Sequence, residues 1–471
     1  MTGVESVSGF RGGYVSAEQR RRAGRQLRAA APRSGHARLA GDRRDPLDVL
    51  AEQDAGRVPE LVPIRYGRMA VSPFAFFRGA AAVMAGDLAA TPASGLAAQL
   101  CGDAHLSNFG LFGSPERQLV FDINDFDETL PGPWEWDVKR LTASLEVAAR
   151  QRGFDRAMCG EIVLAAAARY RTAMRSFAAM TNLEVWYAKV DAAEMRAWTS
   201  DMSRRARRKL DHVLEKARTR DNLRELTRIT HVVGKEPRIV ADPPLVVPIR
   251  DLYPVPTERD ALGREISRLL WGYRHTLPAD RSVLLDQYQP VDLARKVVGV
   301  GSVGTRCWVV LMLGRDSRDP LFLQVKEANH SVLEGHAGAS RHAHHGQRVV
   351  LGQRLMQASG DILLGWHRTT GIDGRQHDYY VRQLRDWKGS LDIETLRPEG
   401  MVRYGELCAW TLARAHARSG DRFGIAGYLG RGRGFDDAIR QFAVAYAELN
   451  ERDHQHLVDA ITSGRVPAEA G

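Results

Sequence analysis

Cysteine is scarce in this chain, and so is lysine. The four cysteines, Cys101, Cys159, Cys307 and Cys408, are widely separated and form no C-x-x-C pair. Their spacing excludes a disulfide framework and a thiolate zinc site, and it predicts four reduced, mostly buried thiols. Lysine occurs eight times among 67 basic residues, so a lysine at the end of an apolar strand stands out. No apolar run reaches the roughly 18–20 residues that a membrane span needs, so no membrane partner is expected. The opening stretch MTGVESVSGFRGGYVSAEQRRR has no apolar centre. A secretory signal is therefore not expected, and a cytoplasmic location is. No segment alternates arginine with aromatics as a single-strand nucleic-acid surface does.

Hydrophobic residues make up 44% of the 471 positions, enough to bury a sizeable core. The net charge of +10 is carried by arginine and is dense in QRRRAGRQLRAAAPRSGHARLAGDRRD. Such a run predicts a solvated basic arm, with nucleic-acid or phosphate contact as the alternative use. Residues 1–60 read as this basic, partly helical extension. Residues 61–235 begin as a loop and a helix, pass through a loop–strand–loop at 100–130 and continue as helices. WEWDVKRLTASLEVAAR, for example, repeats apolar residues at three-to-four spacing. The proline-bearing EPRIVADPPLVVPIRDLYPVP marks a linker over 236–260. Residues 261–395 hold one leading helix and then the alternating segments ARKVVGV, CWVVLML, PLFLQVK, DILLGWH and YYVRQL, which predict antiparallel strands. A helix, GQRVVLGQRLMQA, interrupts them. Residues 396–471 return to helix.

Two motifs carry chemistry. CGDAHLSNFG places Asn108 five positions after Asp103. A D-x-x-x-x-N loop suits phosphoryl transfer, the aspartate receiving or orienting the attacking hydroxyl and the asparagine oxygen helping to hold Mg²⁺. Mg²⁺ also needs a carboxylate nearby, and LVFDINDFDET supplies Asp122, Asp125 and Asp127 at the end of an apolar strand. Asp125 and Asp127 share a face of an extended chain and Asp122 takes the other; Asp125 is the expected metal ligand. A calcium loop is excluded, because Phe126 stands where an oxygen ligand is required.

The second motif is KVVGVGSVGTRCWVVLML, a G-x-G-x-x-G formed by Gly299, Gly301 and Gly304 with Ser302 between them. β-branched residues follow at once, so the glycines turn one strand into the next. That differs from the strand-to-helix turn of a dinucleotide fold. Glycines in such a hairpin let backbone N–H groups approach phosphates. PLFLQVKEA then supplies Lys326 to grip them. For the acid that pairs with this lysine, Glu334 and Glu327 are the candidates. Arg68 and Arg78, just before the first motif, are further phosphate candidates. His336, His342, His344 and His345 share a Gly/Ala-rich stretch. No cysteine or acid spacing supports zinc there, and a mobile loop is expected.

GDAHLSN resembles the GDLHPGN-type loop of the aminoglycoside and choline phosphotransferases, within the protein-kinase-like superfamily, with Cys101 where that loop usually has histidine. The resemblance implies a metal-binding role for Asp125 and makes Asp137 a structural acid that ties the following helix to the loop. It also implies that DYYVRQLRDWKGS is the strand and hinge beside the adenine, with the backbone of Gln383, Leu384 and Arg385 at its edge. GELCAWTLARAHARSGD resembles the long helix that normally precedes the catalytic loop, yet here it follows by 300 residues. The implied fold is α+β: a protein-kinase-like two-lobed fold, circularly permuted. The helical catalytic lobe comes first, the antiparallel-sheet nucleotide lobe second, and C-terminal helices complete the helical lobe, with 236–260 as the join. From about residue 60 to 455 the chain also resembles an uncharacterised bacterial family, domain of unknown function 2252, in SPFAFFRGAA, CGDAHLSNFG, FDINDFDETLPGPWEWDVKRL, KVVGVGSVGTR, LQVKEA and LARAHARSGD. The expected function is ATP- and Mg²⁺-dependent phosphotransfer to a hydroxyl of a small molecule. The alternatives are transfer of another group such as AMP, and non-catalytic binding of ATP or nucleic acid.

Overall fold

A computed structural model of the chain describes residues 15–39, 41, 43–219, 222–234, 236–297, 299–371, 373–384, 387, 389 and 391–469. The described part of the basic extension is docked on the protein. Helix Ala17–Gln26 opens on a capping box of Ser16 and Gln19. It lies so close to helix Arg422–Leu429 that a Cβ on Gly24 would sit 2.0 Å from the Gly424 carbonyl oxygen. Arg28 donates to the Tyr428 and Gly427 carbonyls, and Arg33 to that of Leu429. These cations cap the negative end of that helix. Arg43 bridges Asp87 and Asp453. The arm expected to be solvated thus spends these charges on its own fold, because carbonyls at a helix end and buried carboxylates both need donors.

The loop expected after residue 60 is largely helical: Val62–Ala70, Pro73–Gly79 and Ala81–Ala89. Pro63 and Pro73 sit in the first helical turns, where a missing N–H costs nothing. Four short strands follow. β1 (Ala97–Leu100) pairs with β4 (Leu130–Pro133), and β2 (Phe109–Gly113) pairs with β3 (Leu119–Ile123); β5 (Val190–Asp191) extends the second pair. They rest on a block of long helices, Trp134–Gln151, Arg156–Phe177 and Pro398–Ser419. Trp134 stacks on Tyr170 at 5.4 Å in its core. Gly405 lets Pro398–Ser419 approach Leu145 and Ala166. All four cysteines are buried and free.

The strand-rich block forms one six-stranded antiparallel sheet. β6 (Thr230–Val233) and β7 (Glu236–Ile239) make a separate hairpin. The sheet consists of β8 (Val246–Pro248), β9 (Gln289–Lys296), β10 (Cys307–Leu313), β11 (Pro320–Glu327), β12 (Gly365–Thr370) and β13 (Gln376–Gln383), in the order β12-β13-β11-β10-β9-β8. Leu293, Val310, Leu323 and Val381 face helix Pro256–Tyr273 through Leu262, Ile266 and Leu269. Ala294, Val309, Leu311 and Phe322 form the other face, against Ile239. Both faces are covered, so β11 is buried at every position. The proline-bearing stretch 236–260 is structured as well: β7 closes the hairpin, and Val246 and Val247 pair with Lys296 and Arg295 on the open edge of β9. Helix His345–Met356 connects β11 to β12 and packs on β12 and β13. Among the described residues, no helix is long and apolar enough to cross a membrane.

Candidate functional site

The loop after β1 is held by a helix that begins thirty residues later. Asp137, in the first turn of Trp134–Gln151, accepts the Cys101 N–H at 2.8 Å and the Gly102 N–H at 3.1 Å. Its Oδ2 also meets His416 at 3.3 Å, and the other ring nitrogen of His416 meets the Tyr170 hydroxyl at 2.8 Å. From below, the Tyr404 hydroxyl donates to the Leu106 and Phe109 carbonyls. Pro398–Ser419 therefore underlies a loop from which 300 residues of sequence separate it. Gly102 has φ +84°, and a Cβ there would lie 2.3 Å from the Glu128 carbonyl oxygen, so the position requires glycine.

Within this loop the Asn108 side-chain amide donates to the Asp103 carbonyl at 2.7 Å, which leaves its Oδ1 as an acceptor directed elsewhere. Burial pushes the Asp103 carboxyl upward, against the pull of Arg140, whose Nε and Nη2 both reach Oδ1, at 2.9 and 2.8 Å. Arg140 stands in neither sequence motif. It lies one turn after Asp137 on the same helix, an i, i+3 spacing that marks both as facing the loop.

The Asn124 N–H bonds the Asn108 carbonyl at 2.8 Å and brings the aspartate-rich turn alongside. Asp122 points away, into the core. Asp125 and Asp127 face Lys326 of β11: Asp127 Oδ2 bonds its ammonium directly, and Asp125 Oδ2 lies 3.8 Å from it. Tyr380, opposite Lys326 in β13, donates to Asp127 Oδ1 at 2.7 Å. Burial and the neighbouring Asp127 push the Asp125 carboxyl up. Burial also opposes ionisation of Asp127, but Lys326 and Tyr380 outweigh it and hold that carboxyl down. The acid partner of Lys326 is thus Asp127, and neither Glu334 nor Glu327 bonds it. Glu327 is taken by Arg306 and His377, and Glu334 lies by His330, His345 and Arg348. Glu128, the next acid, is pushed up to about 7 by burial and accepts the Val332 N–H.

The glycine turn joins β9 to β10 as expected, but it is clamped. Val58 N–H bonds the Gly304 carbonyl at 2.8 Å, and Arg57 donates to the Gly301 and Val303 carbonyls. Gly304 has φ +91° and packs on the Arg57 side chain. Ser302 Oγ reaches down to Asp127 Oδ2 at 3.2 Å. Gly299 is exposed, and a Cβ on it would lie 3.9 Å from Arg78 Nη2. Arg78 Nε is buried without a hydrogen-bond partner, and the nearby charge of Asp103 acts on this guanidinium. At the expected adenine edge, the Gln383 N–H is bonded to Asp361 and the Leu384 N–H to the Phe322 carbonyl. Neither donor is free for a base: the Asp361 carboxylate takes the first, and pairing with β11 continues through the second. Arg385 lies outside the described residues.

A cavity of about 1610 Å³ abuts this site, and its lining includes Arg78, Ser107, Val300, Trp198, Lys209 and Leu391. Asp103, Asp125 and Asp127 are not among its described lining residues, and the glycine turn contacts Asp127 through Ser302.

The model of a family described as "Uncharacterized protein conserved in bacteria (DUF2252)" matches residues 57–460. The chain belongs to this family. The match takes in the Asp103 loop, the aspartate turn, the glycine turn and Lys326, so in this DUF2252 protein the whole cluster lies within the family region. No curated protein and no solved structure matches the chain.

Proposed function

We propose that this DUF2252 protein is an ATP- and Mg²⁺-dependent phosphotransferase of circularly permuted protein-kinase-like fold, acting on a hydroxyl of a small molecule. One observation carries the proposal: Lys326, on the second strand after a glycine turn, meets Asp125 and Asp127 on the turn that follows the Asp103–Asn108 loop. The order of parts in the sheet supports it too. β9, the glycine turn, β10, the lysine on β11 and then a helix follow one another as they do in a kinase nucleotide lobe.

The donor set fits Mg²⁺. Asp125 and the Oδ1 of Asn108 are hard oxygen ligands, and the Asp125 carboxyl is pushed up by burial and Asp127 despite Lys326 and Arg382, so a cation beside it would be favoured. Bound Mg²⁺ would offset charge on the phosphates. Lys326 would bind the α- and β-phosphates of ATP, and the half-buried Arg78, whose Nε has no hydrogen-bond partner, would meet the γ-phosphate. Ser302 must leave Asp127 for the triphosphate to enter. Asp103 would take the proton of the acceptor hydroxyl while that oxygen bonds the γ-phosphorus, the bond to the β–γ bridging oxygen breaks and ADP departs. Arg140 fixes the carboxylate for this role. The cavity exceeds the roughly 300–1,000 Å³ of an ordinary ligand site, so it has room for an acceptor beside the nucleotide.

Thermal unfolding with ATP, with and without Mg²⁺, tests the proposal. A ligand at about 100 times its Kd stabilises by about 2.7 kcal/mol. Mg-ATP should raise the melting temperature of the wild type but not of Asp125→Asn or Lys326→Met. A wild type that responds to no nucleotide sinks the proposal. Release of pyrophosphate in place of ADP would assign transfer of AMP to the same residues.

A further inference from the structure

A second cluster lies outside this site, on the connection between β11 and helix His345–Met356. Its sequence showed four histidines with no acid at ligand spacing. Folding replaces that set with another. The turn Ser331–Glu334 brings Glu334 back over the chain, and the helix start brings His345 beside His330. One ligand atom from each of His330, Glu334 and His345 lies within 4.8 Å of the others. His330 Nδ1 is 3.3 Å and His345 Nδ1 is 3.9 Å from the Glu334 carboxylate. The two imidazole centroids are 4.1 Å apart.

Three features separate this cluster from an ordinary group of surface polar residues. His345 Nδ1 is buried and has no hydrogen-bond partner. Glu334 is held in place by the Ser331 and Ser340 N–H groups, and the His345 backbone by Asp378, so two of the three ligands are positioned before anything binds. His330 is 79% exposed, free to swing in and leaving one side open to water. Donors of a tetrahedral ion with bonds of about 2.0–2.1 Å stand about 3.3 Å apart. The cluster therefore needs to contract by at most about 1.5 Å, within the range of a rotamer change at His330. Arg348 adds positive charge, its Nε 3.8 Å from Glu334, which disfavours any weakly bound cation. Two imidazoles and one carboxylate select a borderline metal over Mg²⁺ or Ca²⁺.

We propose that His330, Glu334 and His345 form a zinc site, with water as the fourth ligand, that staples the β11–helix connection to the helix start. The same helix carries Arg348, which holds the Asp127, Thr129 and Asn329 carbonyls. The Ser331 hydroxyl and Val332 N–H hold Glu128. An ion here would thus brace both supports of the aspartate turn. The inference does not depend on the phosphotransferase proposal.

The test is zinc titration of tag-free full-length protein, stripped with chelator and dialysed, by calorimetry and metal content. The wild type should take up one equivalent of Zn²⁺ and melt at a higher temperature with it. His345→Ala and His330→Ala should each weaken uptake by more than about tenfold, with ligand loss costing at least as much as loss of an outer-shell partner. His212→Ala, at an exposed histidine elsewhere, should bind as wild type. If His345→Ala fails to fold, the exposed His330→Ala decides. No saturable uptake, or uptake unchanged in the folded variants, overturns the site. Asp125→Asn should leave the zinc isotherm intact, so a failed nucleotide site and a failed zinc site are told apart.

Discussion

Asp122 and the pair Asp125–Asp127 stand within six residues of one another, at the end of one strand, yet they live in opposite electrostatic settings. Asp122 and Arg414 are each 1% exposed and bond at 2.5 Å. The Ile123 and Ala358 N–H groups complete the carboxylate. One acid meets one cation, and both oxygens of the acid are hydrogen-bonded. On the other face two acids crowd together, Lys326 bonding one of them directly and Arg382 acting on both, with Ser302 and Tyr380 reaching the same carboxylate as Lys326. The first carboxylate is satisfied without a ligand, and the one buried atom of the pair left without a partner is Arg414 Nη1 on the cation. The second leaves the Asp125 carboxyl pushed up by burial and by Asp127, against the pull of Lys326 and Arg382, a strain that a bound cation would relieve. Proximity in sequence says nothing about which carboxylate is structural; completeness of its partners does.

Four measurements would break or sharpen that contrast. Asp122→Ala should be the most damaging, because it strands a buried guanidinium; urea unfolding should show a loss of about 3–5 kcal/mol. Asp125→Asn should do the reverse to the apo protein, relieving repulsion with Asp127 so that apo stability holds or rises. It should at the same time abolish the Mg-ATP shift of about 2.7 kcal/mol at saturation. Equal damage from the two variants would erase the distinction. Gly102→Ala should cost about 1–3 kcal/mol by equilibrium unfolding, since its left-handed φ and the Glu128 carbonyl both oppose a Cβ.

The smallest effect concerns pH. The Glu128 carboxyl is pushed up to about 7 from an ordinary 4.5 by burial. The folded protein therefore holds a proton that the unfolded chain releases. The stabilisation is complete below pH 4.5 and is lost as pH rises through about 7. The side chain is partly exposed, so the change is about 1 kcal/mol. Unfolding at pH 5 and pH 7.5 should show this decline in the wild type and a flatter profile in Glu128→Gln.

The motifs were legible because they are local. Asp103 and Asn108, the glycine turn between two strands, and Lys326 at a strand end each follow from spacing and periodicity over a few residues. So do the helices Trp134–Gln151, His345–Met356 and Pro398–Ser419. Other features were misread because a local signal had two meanings. Pro63 and Pro73 read as loop yet start helices. Val246 and Val247 sit in a proline-bearing stretch but find the open edge of β9. The arginines of the extension read as solvated until Tyr428 and Leu429 supply carbonyls from 400 residues away.

The sequence by itself determined which residues are capable of chemistry and which element carries each, since residue type and hydrophobic period act within one element. Only the tertiary structure decided which of them meet. Lys326 takes Asp127 over the nearer Glu327, Arg140 takes Asp103, Pro398–Ser419 supports a loop 300 residues before it, and Glu334 gathers His330 and His345. A charge inside a protein is settled by whichever opposite charge the packing brings within about 4 Å. That distance is set by how helices and sheet pack together, and separation along the chain carries no record of it.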